Sequence, residues 1–245
     1  MQDKELDSRF YPIILIKPNQ EWEKVYYKKE SEKFQGDYAI VKAYSKELKY
    51  ANHVWYGIIN RNYQTVLPFK LWNKIERIGN NFFVEDNSYQ KTNPFPHRRT
   101  YHYTLNQNHL NLVKVMGNYQ KITSQVLCIE NENHLFQLYD LKKQQVLSNS
   151  FSSFSPEIKE NKIVLYATRE LVLPPIFLNQ IELSCYIDLD GNMISPVYNP
   201  IGNKLEYLTK ENFESYYQKT IETIKQSFQS KSDIEIKKIL IKEKK

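Results

Sequence analysis

The residue types best suited to recognition chemistry are concentrated in one segment, 96–103, which reads PHRRTYHY. Guanidinium groups bind phosphates and carboxylates, whereas aromatic rings stack on bases or fill pockets of protein partners. The segment ends a stretch rich in turn formers, so we predict an exposed loop over 85–102. The predicted partner-binding residues are His97, Arg98, Arg99, Tyr101 and His102. A protein interface, a nucleic-acid surface, and packed tyrosines beside solvated arginines all remain open at this point.

No other cluster has the spacing of a catalytic or metal-binding centre. The histidines form neither an HxH nor an HExxH pair; they are His53, His97, His102, His109 and His134. The serines at 148–155 lack the glycine-flanked turn that exposes a nucleophile, and the chain has only 6 glycines and no phosphate-binding glycine loop. We therefore predict no catalytic residue, no metal and no cofactor.

The segment 188–192, DLDGN, resembles a loop that supplies oxygens to calcium. A helix–loop–helix calcium site also needs a carboxylate at the twelfth position, where Asn199 stands, and flanking helices. The pattern instead favours a hairpin turn, with Asp190 and Gly191 in a primed conformation.

Cysteine usage and hydropathy indicate a cytoplasmic protein that does not enter a membrane. Cys128 and Cys185 lie in apolar runs, where free cysteine behaves as a small buried hydrophobe. No run approaches the roughly 18 apolar residues of a membrane span. The net charge is +6, but lysine far outnumbers arginine among the 34 basic residues, which favours a solvated surface and keeps nucleic acid as the alternative partner.

The segment 55–78, WYGIINRNYQTVLPFKLWNKIERI, predicts a β-hairpin. β-branched and aromatic residues are enriched over 54–59 as in a strand, asparagines form a turn at 60–62, and a second strand covers 65–67. Proline lacks a backbone N–H, so we expect Pro68 to end that strand.

The hairpin pattern recurs at 136–147 and at 184–196, and a fainter copy covers 103–113. Aligning the turns places an apolar residue before each turn, namely Ile59, Tyr139 and Ile187. The next column holds Asn60, Asp140 and Asp188. Repetition of this kind predicts several hairpins built on one plan.

This pattern resembles the WG-repeat (KWG-type) proteins of bacteria over at most residues 36–200. The first unit supplies Trp55, Gly57, Ile58, Ile59, Asn60, Val66, Leu67, Pro68 and Trp72, with Tyr56 inserted between tryptophan and glycine. The second supplies Tyr139, Asp140, Val146, Leu147 and Phe151, and the third Tyr186, Ile187, Asp188, Gly191, Ile194, Pro196 and Tyr198. The resemblance implies antiparallel β-hairpin repeats and a binding role without a shared catalytic centre.

The chain changes character near Thr209, a suitable helix N-cap. Apolar residues then recur every three or four positions, at Phe213, Tyr216, Tyr217, Ile221, Ile224 and Phe228. This spacing predicts one amphipathic helix that docks on the sheet. The following segment, 233–241, suits either a helix or a strand.

Together these features predict a mainly β fold: antiparallel WG-like β-hairpin repeats followed by a C-terminal amphipathic helix. The repeat region is expected over 1–208, as one domain with the 85–102 insertion, and the helix with a basic tail over 209–245. The expected function is a non-enzymatic protein-interaction module or adaptor of a bacterial system, with a protein partner. The alternative is a nucleic-acid-binding accessory protein that uses the basic–aromatic loop.

Overall fold

A computed structural model describes residues 10–16, 22–28, 34–45, 54–86, 98–106, 109–171 and 181–229. The predicted fold class is confirmed: within these residues the protein is mainly β, with four antiparallel sheets and one C-terminal helix. The chain divides into two compact units, Met1–Met116 and Gly117–Lys245. This division lies elsewhere than the sequence-based boundary at 208/209, because the C-terminal helix shares a core with the strands that precede it.

The first unit contains two sheets whose strands follow chain order. The five-stranded sheet consists of β1 (Phe10–Ile16), β2 (Trp22–Lys28), β3 (Tyr38–Ser45), β4 (Val54–Asn60) and β5 (Thr65–Lys70). The four-stranded sheet consists of β6 (Lys74–Ile78), β7 (Asn81–Asp86), β8 (Arg99–Asn106) and β9 (His109–Met116). The predicted insertion is thus shorter at both ends, and residues 87–97 lie outside the described part.

Alternation along the strands of the first unit buries residues on both faces of the five-stranded sheet. One face packs against the four-stranded sheet, where Ile58, Leu67 and Trp72 meet Phe82 and Val84 in one apolar cluster. A second, smaller cluster fills the opposite face with Ala39, Val41, Ala43, Ile59 and Phe69.

Gly57 makes room for an aromatic ring in the first hairpin. A Cβ atom at this position would lie 2.6 Å from Cδ2 of Phe69. Only glycine allows this approach, which is the physical reason for the glycine that follows Trp55 and Tyr56.

The expectation that Pro68 ends the second strand was wrong. β5 continues through Pro68 to Lys70. β5 is the last strand of its sheet, so the missing N–H of proline removes no bond to a further strand. The pairing with β4 is irregular beside it, with register shifts on both sides of Ile58.

The second unit contains two more sheets and the helix. The four-stranded sheet consists of β10 (Tyr119–Lys121), β11 (Val126–Glu130), β12 (Phe136–Asp140) and β13 (Gln145–Val146). The five-stranded sheet consists of β14 (Ser153–Lys159), β15 (Lys162–Glu170), β16 (Glu182–Ile187), β17 (Val197–Asn199) and β18 (Lys204–Glu206). The helix α1 spans Lys210–Gln229.

The predicted amphipathic helix is confirmed, and it lies on one face of the second five-stranded sheet. Its residues Phe213, Tyr217, Ile221 and Ile224 are buried in one cluster with the inner face of that sheet. The inner-face residues are Leu165, Ala167, Leu183, Cys185, Ile187 and Val197. The carbonyl of Thr209 accepts bonds from the backbone N–H groups of the first helical turn, as the predicted cap position requires. The segment 233–241 lies outside the described residues.

Three hairpins in the described chain share one turn, which begins at Asn60, Asn131 and Asp188. In each, the side-chain Oδ1 accepts bonds from the backbone N–H groups two and four residues later. The residue three positions after the start has a positive φ: 59° at Tyr63, 58° at His134 and 81° at Gly191. The side-chain oxygen thus supplies an acceptor for backbone N–H groups that have no backbone partner in a tight turn.

The shared turn agrees only in part with the sequence alignment. Asn60 and Asp188 occupy one column of that alignment and do share the turn. Asp140 of the same column forms a different one, in which Oδ1 accepts bonds from Lys142 and Lys143. The expected primed turn at Asp190–Gly191 was wrong: only the glycine has a positive φ, and a type I′ turn requires two such residues.

Candidate functional site

β8 carries the predicted recognition residues, and it buries two of them. Arg99 is 5% exposed and His102 is 0% exposed. The Arg99 guanidinium donates to Asp86 Oδ2 at 3.2 Å across the β7–β8 pair. It also lies over the ring of Tyr101, 5.7 Å from the ring centroid. Arg99 therefore holds two strands together rather than facing a partner.

His102 is an interior residue of the same sheet. Its ring stacks on Phe83 with a centroid separation of 4.8 Å. Nε2 lies 2.8 Å from Asn81 Oδ1, and Asn81 donates its Nδ2 to the Ile78 carbonyl, so the imidazole acts as the donor. Burial lowers the pKa of His102 to about 4, so the ring is neutral at physiological pH.

The remaining members of the predicted site have different environments. Arg98 is exposed, and its guanidinium approaches Glu85 Oε2 at 3.6 Å. Tyr101 is half-buried and meets Trp72 edge-on at 6.0 Å, within the core of the first unit. Burial raises the pKa of Tyr101, although the Arg99 charge opposes the shift. His97 lies outside the described residues.

The structure thus separates residues that the sequence placed on one loop. Arg99 and His102 are interior, Tyr101 belongs to a core cluster, and only Arg98 of the described members is solvent-facing. The reason is that the first half of β8 is buried on both faces, and Arg99 and His102 are bonded to side chains of β7. Arginine and tyrosine at the start of this strand therefore pack within the sheet, and they do not present a binding surface to a partner.

A different surface of the molecule combines aromatic residues with exposure. On the five-stranded sheet of the second unit, Tyr166, Tyr186, Tyr198 and Leu205 point away from α1, and we call this surface the tyrosine face. Register places Tyr166 opposite Tyr186 and Tyr198 opposite both Ser184 and Leu205. The rings of Tyr166 and Tyr186 lie 5.2 Å apart. Tyr198 is 39% exposed and Leu205 is 63% exposed.

Charge is segregated along the tyrosine face. At one end Lys159 of β14 lies opposite Lys162 of β15, and at the other end Glu170 of β15 lies opposite Glu182 of β16. Lys159 Nζ also lies 3.1 Å from the ring centroid of Tyr186. The middle of the face on β15 and β16 carries no charge.

A second polar cluster surrounds Glu130, whose carboxylate is buried at the end of β11. Asn118 donates its backbone N–H and its Nδ2 to Glu130 Oε2 at 2.8 and 2.6 Å. His134 Nδ1 lies 2.8 Å from the other oxygen. Desolvation raises the pKa of Glu130, but these hydrogen bonds lower it by more, so the pKa lies below its usual value. The cluster fixes the turn at Asn131 through the left-handed residue His134.

The segments considered for metal binding serve other roles in the structure. Asp188 uses Oδ1 and Oδ2 to accept bonds from its own turn. Within the described ranges no three His, Cys, Asp or Glu side chains are grouped so that they could hold a metal ion. Cys128 and Cys185 are buried and unbridged, as predicted, and burial raises the pKa of both thiols to about 12.

No family model matches this chain, and no curated protein matches it. Among the described residues, no helix is both long enough and apolar enough to cross a membrane.

The tyrosine face was not predicted from the sequence, although three predicted strand segments each carry one of its tyrosines. Alternation shows that Tyr166 and Leu165 lie on opposite faces of β15, but it does not show which face the helix covers. That choice is made by the packing of Phe213 and Tyr217 in one cluster with inner-face residues 16 to 52 positions earlier, which no local pattern encodes.

Proposed function

We propose that this chain is a non-enzymatic protein-interaction module, or adaptor, which binds a protein partner through the tyrosine face. The observation that carries the proposal is an aromatic and aliphatic row, Tyr166, Tyr186, Tyr198 and Leu205, on the sheet face that α1 leaves uncovered among the described residues. Exposed apolar patches with a polar rim mark interaction sites, and tyrosine is enriched among residues that dominate binding energy.

The form of the surface favours a protein partner. The row runs across four adjacent strands, so it presents a broad, gently twisted platform. Ser184, which is half-buried, lies opposite Tyr198 and next to the Tyr166–Tyr186 row, so a hydroxyl group stands beside rigid aromatic area. Such a mixture is typical of interfaces that stay soluble when the partner is absent.

The resemblance to bacterial WG-repeat proteins adds to the proposal, since it implies hairpin repeats with a binding role. We also propose a cytoplasmic location. Cys128 and Cys185 are buried thiols that form no disulfide, which is typical of proteins in a reducing compartment such as the cytoplasm.

A capture experiment with matched variants tests the proposal. Tyr198→Ser combined with Leu205→Ser removes the two most exposed members of the row. The control is Ile158→Ser, which removes an apolar side chain that is 79% exposed on the opposite face of the same sheet. Immobilised wild type and both variants are incubated with extract from the native host, and the retained proteins are quantified by mass spectrometry.

We expect a partner that wild type and Ile158→Ser retain equally, with retention about tenfold or more lower for the double variant. Equal retention by all three proteins, with unchanged thermal melting, would remove the tyrosine face from the function.

The alternative, a nucleic-acid-binding accessory protein, is favoured by the distribution of charge. Residues 1–116 contain 18 basic and 12 acidic side chains, whereas residues 117–245 contain 16 of each, so the whole net charge of +6 belongs to the first unit. Within the predicted cluster, Arg98 is the described residue whose guanidinium is exposed enough to contact a phosphate.

A mobility-shift assay tests this alternative. Phosphate binding releases counterions, so retention of a labelled RNA or DNA should fall steeply between low and physiological salt. Absence of a shift at low salt would exclude this alternative.

A further inference from the structure

Like charges face each other at both ends of the tyrosine face. Lys159 is the register partner of Lys162, and Glu170 is the register partner of Glu182. Side chains directly opposite on antiparallel strands lie close together, so each pair is repulsive in the isolated unit. Sheets normally place opposite charges at such positions, and an interface is one reason to do otherwise.

No opposite charge within the described chain compensates three of these four residues. Lys159 forms an ion pair with Glu157 at 3.8 Å, but Lys162, Glu170 and Glu182 form none among the described residues. The glutamates are half-buried and Lys162 is exposed, so all three are accessible to groups from outside. The face therefore has a positive end and a negative end, both open to a partner.

The two charged ends are placed symmetrically about the tyrosines. Lys162 and Glu170 are the first and last residues of β15, and Tyr166 is its central residue. A twofold axis that lies in the plane of the interface above Tyr166, perpendicular to the strands, would bring the lysine end of one copy onto the glutamate end of the other. The same operation makes the second contact, because a twofold interface is self-complementary.

Building on the proposed function, we propose that the protein partner at the tyrosine face is a second copy of this chain. The two sheets pack face to face with antiparallel strands, and Tyr166 and Tyr186 meet at the centre. Lys162 of each copy meets Glu170 of the other, and Lys159 and Glu182 flank that pair on either side. A twofold arrangement of this kind neutralises both repulsive pairs at once. A partner of one charge would neutralise only one of them.

The size of the face sets the expected strength of the dimer. Four intervals of about 4.8 Å between the five strands and eight intervals of about 3.3 Å along β15 give at most roughly 500 Å² for each copy. Two copies together bury about 1,000 Å², which is near the lower limit for a specific interface. We therefore expect a dimer that dissociates on dilution, in the micromolar range, and that weakens as salt screens the charged ends.

A charge-swap experiment tests the pairing. One variant carries Lys159→Glu and Lys162→Glu, and the other carries Glu170→Lys and Glu182→Lys. Sedimentation velocity is measured for wild type, for each variant and for their equimolar mixture, from about 1 to about 200 μM so as to bracket a weak interface. Each variant alone should self-associate about tenfold or more weakly than wild type, because like charges then meet at both ends. The mixture should form a heterodimer.

A milder pair guards against loss of folding. Lys159 contacts the Tyr186 ring, and two single variants leave that contact intact. These variants, Lys162→Glu and Glu182→Lys, are each measured in the same way. Circular dichroism and thermal melting establish that each variant is folded.

The outcomes separate this inference from the proposed function. Restored association in the mixture supports both. A wild type that is monomeric at every concentration, while Tyr198→Ser with Leu205→Ser still loses a captured protein, overturns the second copy as partner and leaves the proposed function standing. A wild-type dimer that none of these variants weakens overturns the inference. If the serine variant also keeps its captured protein, the proposed function fails as well.

Discussion

Arg98 and Arg99 show how strongly the environment of one residue type changes over a single position. The side chain of Arg98 is 45% exposed, whereas that of Arg99 is 6% exposed and bonded to Asp86. We expect Arg99→Ala to lower the free energy of unfolding by about 3 kcal/mol or more, because it leaves the Asp86 carboxylate without its partner. Arg98→Ala should cost less than about 1 kcal/mol. Urea denaturation of both variants measures the difference, and equal midpoints would contradict the structural role of Arg99.

Glu130 provides a test at the level of protonation. Because its folded pKa is lowered, its carboxylate contributes stability at neutral pH, and this contribution is lost as the pH falls through the folded pKa. We expect Glu130→Gln to destabilise by about 1–3 kcal/mol at neutral pH and by much less at an acidic pH below the folded pKa, where the wild-type carboxyl is also protonated.

Denaturation with urea at both pH values gives the comparison for Glu130. Glu132→Gln is the control, since Glu132 is an exposed carboxylate two positions later in the same turn. A pH-independent effect of Glu130→Gln would show that shape rather than charge matters at this site.

The residue scale is also where reasoning from the sequence failed most. Arg99 and His102 are polar residues beside turn formers, which predicted exposure. Their partners Asp86 and Asn81 lie 13 and 21 positions earlier, so nothing local indicates that these polar groups are satisfied inside the sheet. The cysteines were predicted correctly, because their apolar neighbours in sequence are also their neighbours in space.

At the scale of elements, the pairing of β4 with β5 depends on Gly57. An alanine there would place Cβ 2.6 Å from the Phe69 ring, so we expect Gly57→Ala to destabilise by about 1–3 kcal/mol through overpacking. In a Phe69→Leu background the same alanine should cost less, because the smaller side chain leaves room. A thermodynamic cycle of the four proteins measures this coupling, and a coupling near zero would mean that the glycine is required for another reason.

Elements were predicted better than residues, for a physical reason. Alternation and turn chemistry are local, so the strands around Ile59, Tyr139 and Ile187 and the helix after Thr209 were placed correctly. Pro68 was misjudged because its effect depends on whether β5 has a neighbour on its other side. The turn at Asn131 was missed because its left-handed residue is His134, whereas sequence rules look there for glycine.

At the scale of the whole molecule, self-association links stability to concentration. A dimer that forms only from folded chains raises the melting temperature as the protein is concentrated. We expect the wild type to show this rise between about 1 and about 100 μM, since a weak dimer forms across that range. The variant with Lys159→Glu and Lys162→Glu should melt at one temperature throughout. Differential scanning fluorimetry measures both, and a concentration-independent wild type would contradict the dimer.

The order of the strands has a consequence for how the chain is made. In all four sheets of the described residues each strand pairs with the one that precedes it, so no strand waits for a distant later segment. Hairpins form in about 1–10 μs, whereas a ribosome adds about 5–20 residues per second. Pairing can therefore keep pace with synthesis from the N-terminus onward. The exception is α1, whose Phe213 and Ile224 complete the last core and leave the ribosome after every strand they cover.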